Sequence, residues 1–282
     1  MNKNNFQISS SLNYSPQTLI TNIGVTKLMR RVFITGASSG IGKELALELA
    51  QEGHSLALAA RNQDKLESVA KLVRRIGGKA KVYPLDVRKK QAQENAIQAF
   101  VEKEGGLDAA VANAGFGITK PILDTTAEDA HELFDVNFFG LLYTLQATAP
   151  YLQGGTFVGI SSVVTYALPT GYGVYSASKA AVSALLTTMR RESQRQFKVV
   201  LVNPGETETD FWQVAEQKSG QLIPGKSPLP FAKPEKVAKA IARVIDTPKP
   251  EVFITKFERM LPIIRGAFPG VLEHYMKLAN KA

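Results

Sequence analysis

The strand–glycine–helix junction at residues 31–51 constrains this chain more than any other segment. Residues 31–35 (RVFIT) form a short, β-rich apolar run, and Thr35-Gly-Ala-Ser-Ser-Gly-Ile-Gly42 follows directly, opening a helical stretch that runs to about Gln51. Glycines at such a junction permit a tight turn and let the backbone approach a pyrophosphate, which the helix N-terminus then binds. The spacing is G-x-x-x-G-x-G rather than G-x-G-x-x-G. Gly36, Gly40 and Gly42, with Ser38, Ser39 and Ile41 between them, are the candidate phosphate cradle. A glycine cluster alone is often a plain turn; the strand before it and the helix after it are the context such a motif needs.

The same alternation continues along the chain. Further strands are expected at 55–60, 80–85, 107–112, 156–161, 198–203 and 251–255, and helices at 63–76, 91–104, 127–151, 172–194 and 233–245. Near-continuous apolar strands separated by helices predict an α/β, Rossmann-type doubly wound parallel sheet of about seven strands, covered on both faces. A length of 282 residues with 44% hydrophobic content suits a single domain of this size. Residues 1–28 are rich in Asn, Ser, Gln and Thr and read as a flexible tail, with a transit segment or translation from Met29 as alternatives. Residues 29–255 make the dinucleotide-binding catalytic domain, and 256–282 a C-terminal cap or interface segment of it.

Charge and rare residues narrow the chemistry. The net charge of +9 favours anionic partners, whether phosphate cofactors, acidic lipid surfaces or nucleic acid. No arginine-rich helix or helix-turn-helix pattern is present, so nucleic acid is not expected. The chain has no cysteine, and His54, His131 and His274 have no metal-ligand spacing, so no metal is expected. No apolar run approaches the ~20 residues that span a bilayer. None suits a signal peptide either, and a cytoplasmic location is expected.

The cofactor side reads from strand ends, beyond which ligands bind in an open parallel sheet. The second strand ends at Ala60-Arg61, where an acidic residue would bond the 2′-hydroxyl of NAD. A guanidinium there matches a 2′-phosphate, so NADP(H) is expected rather than NAD, with Ser38 or Ser39 adding a hydrogen bond. Asp86, followed by Val87, ends the third strand and is placed to accept from the adenine amino group. Asn113-Ala114-Gly115 ends the fourth and would let backbone lie near the adenosine ribose.

The reacting side reads from Tyr175-Ser-Ala-Ser-Lys179. Residues four apart on a helix share a face. An ammonium beside a phenol favours the phenolate, which should bring the Tyr175 pKa down towards neutrality and let it exchange a proton with an alcohol or carbonyl oxygen. Ser162, thirteen residues upstream, is placed to hold that oxygen. Tyr166 and Tyr172 lie nearby but lack a lysine four residues on, and Ser161 competes with Ser162.

Together these pieces resemble the classical short-chain dehydrogenase/reductases, over about residues 31–211 and more loosely to 255. The matching pieces are TGASSGIG at 35–42, ANAG at 112–115, Asn137 in DVNFFG, Ser162, YSASK at 175–179 and NPGETET at 203–209. The resemblance implies interconversion of a carbonyl and an alcohol with a nicotinamide cofactor. It further implies that Tyr175 is the general acid or base, that Lys179 lowers its pKa and bonds the nicotinamide ribose, and that Ser162 orients the substrate oxygen. Asn137 would hold a relay water, Thr209 would bond the carboxamide, and Pro204-Gly205 would shape the turn beneath it. Two departures stand out: Ala112 replaces the family's usual first Asn, and Thr207 replaces an aliphatic residue, which bears on the fit around the carboxamide. The expected substrate is a small carbonyl or alcohol with an apolar or lipid-like body, and the expected assembly a homodimer or homotetramer. Residues 206–231 read as a mobile lid, and the tail from 257 as a substrate cap, a peripheral membrane contact or a packing helix. A non-catalytic dinucleotide-binding regulator and an NAD-linked alcohol dehydrogenase are the alternatives.

Overall fold

A strand that is apolar along its whole length has no face to give to water, and must be covered on both sides. In the computed structural model, which describes residues 28–193, 196–219 and 232–279, strand β1 (Arg31–Thr35) has Val32, Phe33 and Ile34 fully buried. It lies inside a seven-stranded, wholly parallel sheet of order β3-β2-β1-β4-β5-β6-β7. The other strands are β2 (Ser55–Ala60), β3 (Lys79–Pro84), β4 (Ala109–Ala112), β5 (Thr156–Ile160), β6 (Lys198–Asn203) and β7 (Glu251–Phe253).

Alternate side chains of each strand feed two cores. Val32 and Ile34 pack with Leu45 and Leu49 of helix α1 (Gly40–Gln51), Leu66 and Val73 of α2 (Gln63–Arg75) and Val237 and Ile241 of α9 (Pro234–Asp246). Phe33 points the other way, to Ile97 and Phe100 of α3 (Lys90–Glu104), Leu141 of α5 (Gly140–Thr148) and Val182 and Leu186 of α7 (Gly173–Glu192). Each such fully buried side chain contributes about 1.5–3 kcal/mol by leaving water. The strand order reverses between β1 and β4, and the crevice opened there receives the glycine turn.

Two regions differ from expectation, and the C-terminal segment takes the packing alternative. The single helix expected over 127–151 is α4 (Ala127–Phe134), a π turn (Asp135–Phe139), α5 and a 3-10 turn (Ala149–Tyr151). Thr126 and Asp129 close a capping box at its start. The π turn contains Asn137, whose side chain is buried and committed to partners outside the helix, and such bulges mark functional positions. Within 206–231, residues Phe211–Ser219 form helix α8, while 220–231 fall outside the described residues, as does the tail expected at 1–28 except Leu28. The C-terminal segment is a helical hairpin, α10 (Lys256–Ala267) and α11 (Pro269–Ala279), packed beside the short α6 (Val164–Ala167) through Val163, Leu261 and Leu272.

Candidate active site

The glycine turn is shaped by contacts that no side chain would fit. Gly36 has φ +67° and Gly40 φ +50°, the left-handed region that favours glycine. A Cβ on Gly42 would lie 2.2 Å from the Gly36 carbonyl oxygen and 2.7 Å from Asn113 Nδ2. Asn113 ties the turn to β4: its Nδ2 donates to the Thr35 and Gly36 carbonyls at 3.1 and 3.2 Å, and Thr35 Oγ1 accepts from the Asn113 and Ala114 amides at 3.0 and 3.1 Å. Ser39 stands at the N-cap of α1 without a side-chain cap bond, and the first turn carries no acidic residue. The site therefore offers helix-terminal amides and no competing carboxylate, the donor set a pyrophosphate needs. Ile41 packs beneath it against the first core, and Thr209 lies across from Gly40, its Cγ2 3.0 Å from where a Cβ would stand.

At the adenosine end, Arg61 is exposed at the tip of β2, near enough to Asp86 to act on its charge. Asp86, the candidate acceptor for the adenine amino group, is held by the Arg88 guanidinium at both oxygens, Nε at 3.0 and 2.9 Å and Nη2 at 2.6 Å. Arg88 and, more weakly, Arg61 hold this carboxyl below the usual carboxylate range despite partial burial. Asp86 is thus committed first to a cation, and Arg88 is a residue the strand-end reading missed. Its only signal was a base two residues after an acid. Val87 is buried, and a Cβ on Gly140 would meet its Cγ2 at 2.8 Å.

At the reacting end, Tyr175 and Lys179 project from α7 and both are buried. The Tyr175 ring lies 5.7 Å from Phe211 and 6.5 Å from Tyr172, centroid to centroid. Ser162 follows β5; its Oγ donates to the Pro204 carbonyl at 3.3 Å, accepts from the Val164 amide at 3.2 Å, and lies close enough to Tyr175 to act on its pKa. Ser161, its rival, turns into the interior, where its Oγ donates to the Lys179 carbonyl at 2.9 Å and contacts Ser183 Oγ at 2.8 Å. Lys179 Nζ donates to the Ile160 carbonyl at 3.0 Å. Asn137 accepts from the Phe116 amide and donates to the Phe116 carbonyl, both at 3.0 Å, and to Ser178 Oγ at 3.1 Å. A Cβ on Gly115 would stand 3.0 Å from Asn137 Oδ1 and 3.3 Å from Lys179 Nζ, so these three positions converge. Thr207 Oγ1 donates to the Gly205 carbonyl at 3.1 Å, and the Phe211 amide donates to Thr209 Oγ1 at 3.3 Å.

One electrostatic expectation is overturned. The Tyr175 phenol was expected to be driven towards neutrality by Lys179. Burial instead pushes it well above its ordinary value, with the Ser162 hydroxyl opposing that rise. Burial also brings Lys179 down to about 8. Both groups are desolvated, and desolvation penalises whichever form is charged.

A parallel sheet with a topological switch at β1/β4, and a glycine turn seated on that switch, defines the Rossmann class of dinucleotide-binding folds. The phenol, hydroxyl and buried ammonium at the same edge narrow the class. The chain belongs to the short-chain dehydrogenase family, whose model, described as "short chain dehydrogenase", matches residues 30–220. A curated relative, "11-beta-hydroxysteroid dehydrogenase-like 2" of Arabidopsis thaliana, is 33% identical over 251 residues, 87% of this chain and 80% of its own. An alcohol dehydrogenase from the archaeon Thermococcus sibiricus, solved with 5-hydroxy-NADP, is similar at TM-score 0.71 and 32% identity, over 80% of this chain and 96% of that one. A short chain dehydrogenase/reductase from Burkholderia phymatum, solved with NAD, has TM-score 0.75 at 22% identity, over 86% of this chain and 94% of its own, a likeness of fold alone. The protein is therefore an oxidoreductase of the short-chain type, acting on CH–OH groups, in a family that binds nicotinamide dinucleotides. Among the described residues no helix is long and apolar enough to cross a membrane, and no acidic, His or Cys cluster suits a metal.

Proposed function

We propose that this protein reduces a ketone or aldehyde to the alcohol with NADP(H), Tyr175 giving the proton to the carbonyl oxygen. The observation that carries the reading is the Ser162 hydroxyl set beside the buried Tyr175 phenol, which desolvation keeps protonated. A protonated phenol is the form a general acid needs. The nicotinamide, when bound, supplies the hydride. Ser162 orients the carbonyl by sharing its hydroxyl with the oxygen that Tyr175 protonates. Lys179, charged below about pH 8, stabilises the phenolate left behind and offers a proton to replace the one given. Asn137 and Gly115 border its ammonium, which favours them as the route by which that proton is renewed.

The choice of NADP(H) rests on Arg61 at the tip of β2, with Ala60 in place of an acid. An apolar substrate is supported by Phe116, Ile118, Leu133 and Val164, which cluster with Tyr175, Tyr172 and Phe211. Exposed Phe139 in the π turn and Tyr151 in the 3-10 turn after α5 favour a homodimer or homotetramer. The test is Tyr175→Phe assayed against a panel of apolar ketones and aldehydes by NADPH absorbance. Turnover should fall by about 10²–10⁴-fold while NADPH binding by fluorescence is retained. Turnover equal to wild type removes Tyr175 from this role.

A further inference from the structure

The C-terminal hairpin has no part in the chemistry described so far, yet it carries a carboxylate into the site. Glu258, in the first turn of α10, is buried. Its Oε2 accepts from the Ile254 and Thr255 amides at 2.9 and 2.7 Å, and Thr255 Oγ1 accepts from the Glu258 amide at 3.2 Å, completing a capping box. A cap needs nothing more. Oε1 is turned away from the helix and accepts from the Gly205 amide, 53 residues back in sequence, at 3.1 Å. A Cβ at Gly205 would lie 2.3 Å from that oxygen, and Gly205 is not among the residues with positive φ. A side chain at this position would therefore have to displace the carboxylate, while the backbone itself is not in the left-handed region.

The turn held in this way is shared with the reacting groups. The Pro204 carbonyl accepts from Ser162 Oγ at 3.3 Å and from the Val163 amide at 3.0 Å. The hairpin grips the Ser162 loop as well: Val163 packs on Leu261 and Leu272, and Arg265 Nη1 donates to the Thr165 and Tyr166 carbonyls at 3.2 and 3.1 Å. We propose that Glu258 is a positioning residue for the nicotinamide end of the cofactor site, tethering the Pro204-Gly205 turn to the C-terminal hairpin and through it fixing Ser162. The inference rests on the reading above, in which that turn lies beneath the nicotinamide.

Glu258→Gln separates the tether from the cap. The amide oxygen serves Ile254 and Thr255, which leaves the NH₂ facing the Gly205 amide, donor against donor. Expected in this variant are a rise of at least about tenfold in the Kd for NADPH, a Kd for 2′,5′-ADP within about twofold of wild type, and faster hydrogen exchange at the Gly205 amide without cofactor. Thr255→Ala, which weakens the cap alone, should bind NADPH as wild type does. Equal NADPH binding and unchanged Gly205 exchange in Glu258→Gln overturn the proposal, as does parallel weakening of both ligands, the mark of a merely structural role. If Glu258→Gln fails to fold, Gly205→Ala decides by the same pair of ligands, because its methyl displaces the carboxylate. A wild type that binds neither NADPH nor NADH sinks the functional reading together with this one; a wild type that binds and a variant that binds equally sinks this one alone.

Discussion

Lysine 179 should make the folded protein gain stability as the solution becomes more alkaline, and Lys179→Met should remove that gain. Burial lowers its pKa from the ordinary 10.5 to about 8, so the unfolded chain holds this proton more tightly than the folded one. At 1.36 kcal/mol per pKa unit, folding with the charged ammonium costs about 3 kcal/mol at neutral pH. The sign follows from proton counting: the penalty is complete below the folded value of about 8, shrinks as pH rises, and vanishes above the unfolded value. Integrating between pH 7 and pH 9 gives a relief of about 1 kcal/mol for the wild type and none for the variant. The hydrogen bond from Nζ to the Ile160 carbonyl offsets part of the penalty while the lysine is present, and its loss enters the variant at both pH values. The assay is urea unfolding of the cofactor-free proteins at the two pH values and constant ionic strength. The difference between Lys179→Met and wild type should move by about 1 kcal/mol in favour of wild type at the higher pH. A difference that does not move, or moves the other way, shows that the ammonium is not desolvated, and removes the physical basis for a lowered pKa that lets Lys179 return a proton to Tyr175.

Two further substitutions probe the cofactor half. Arg61→Asp should raise the Kd for NADPH and lower that for NADH, shifting their ratio by at least about tenfold; an unchanged ratio in fluorescence titrations with both cofactors takes Arg61 out of 2′-phosphate recognition. Gly42→Ala places a methyl 2.2 Å from the Gly36 carbonyl oxygen. It should cost about 1–3 kcal/mol in thermal or urea unfolding and abolish dinucleotide binding, and wild-type behaviour in both assays would refute the close packing of the turn.

Much of this architecture was legible because it is local. A strand buried on both faces announces itself as an apolar run, a covering helix by its period, and a phosphate turn by glycines between the two; none of these needs a distant partner to be recognised. Ser162 was separable from Ser161 only through the family interval, whereas the structure separates them by direction, since Ser161 faces Lys179 and Ser183. The π turn at Asn137 was not legible, because it arises from bonds to Phe116 and Ser178, 21 and 41 residues away. The order of pairing at Asp86 was likewise hidden, since spacing does not reveal which of two nearby cations holds both oxygens.

The sequence by itself determined the layered α/β scaffold, the glycine cradle and the residue types that meet at the reacting edge. Only the tertiary structure decided their electrical state and their support. Spacing predicted a phenol lowered by its lysine neighbour, but burial governs both groups and moves the phenol the opposite way. The tether from Glu258 to Gly205 joins segments that no periodicity connects. Desolvation and long-range contact are properties of the packed chain, because they depend on which atoms replace water around a group, and that is set only once every element has found its neighbours.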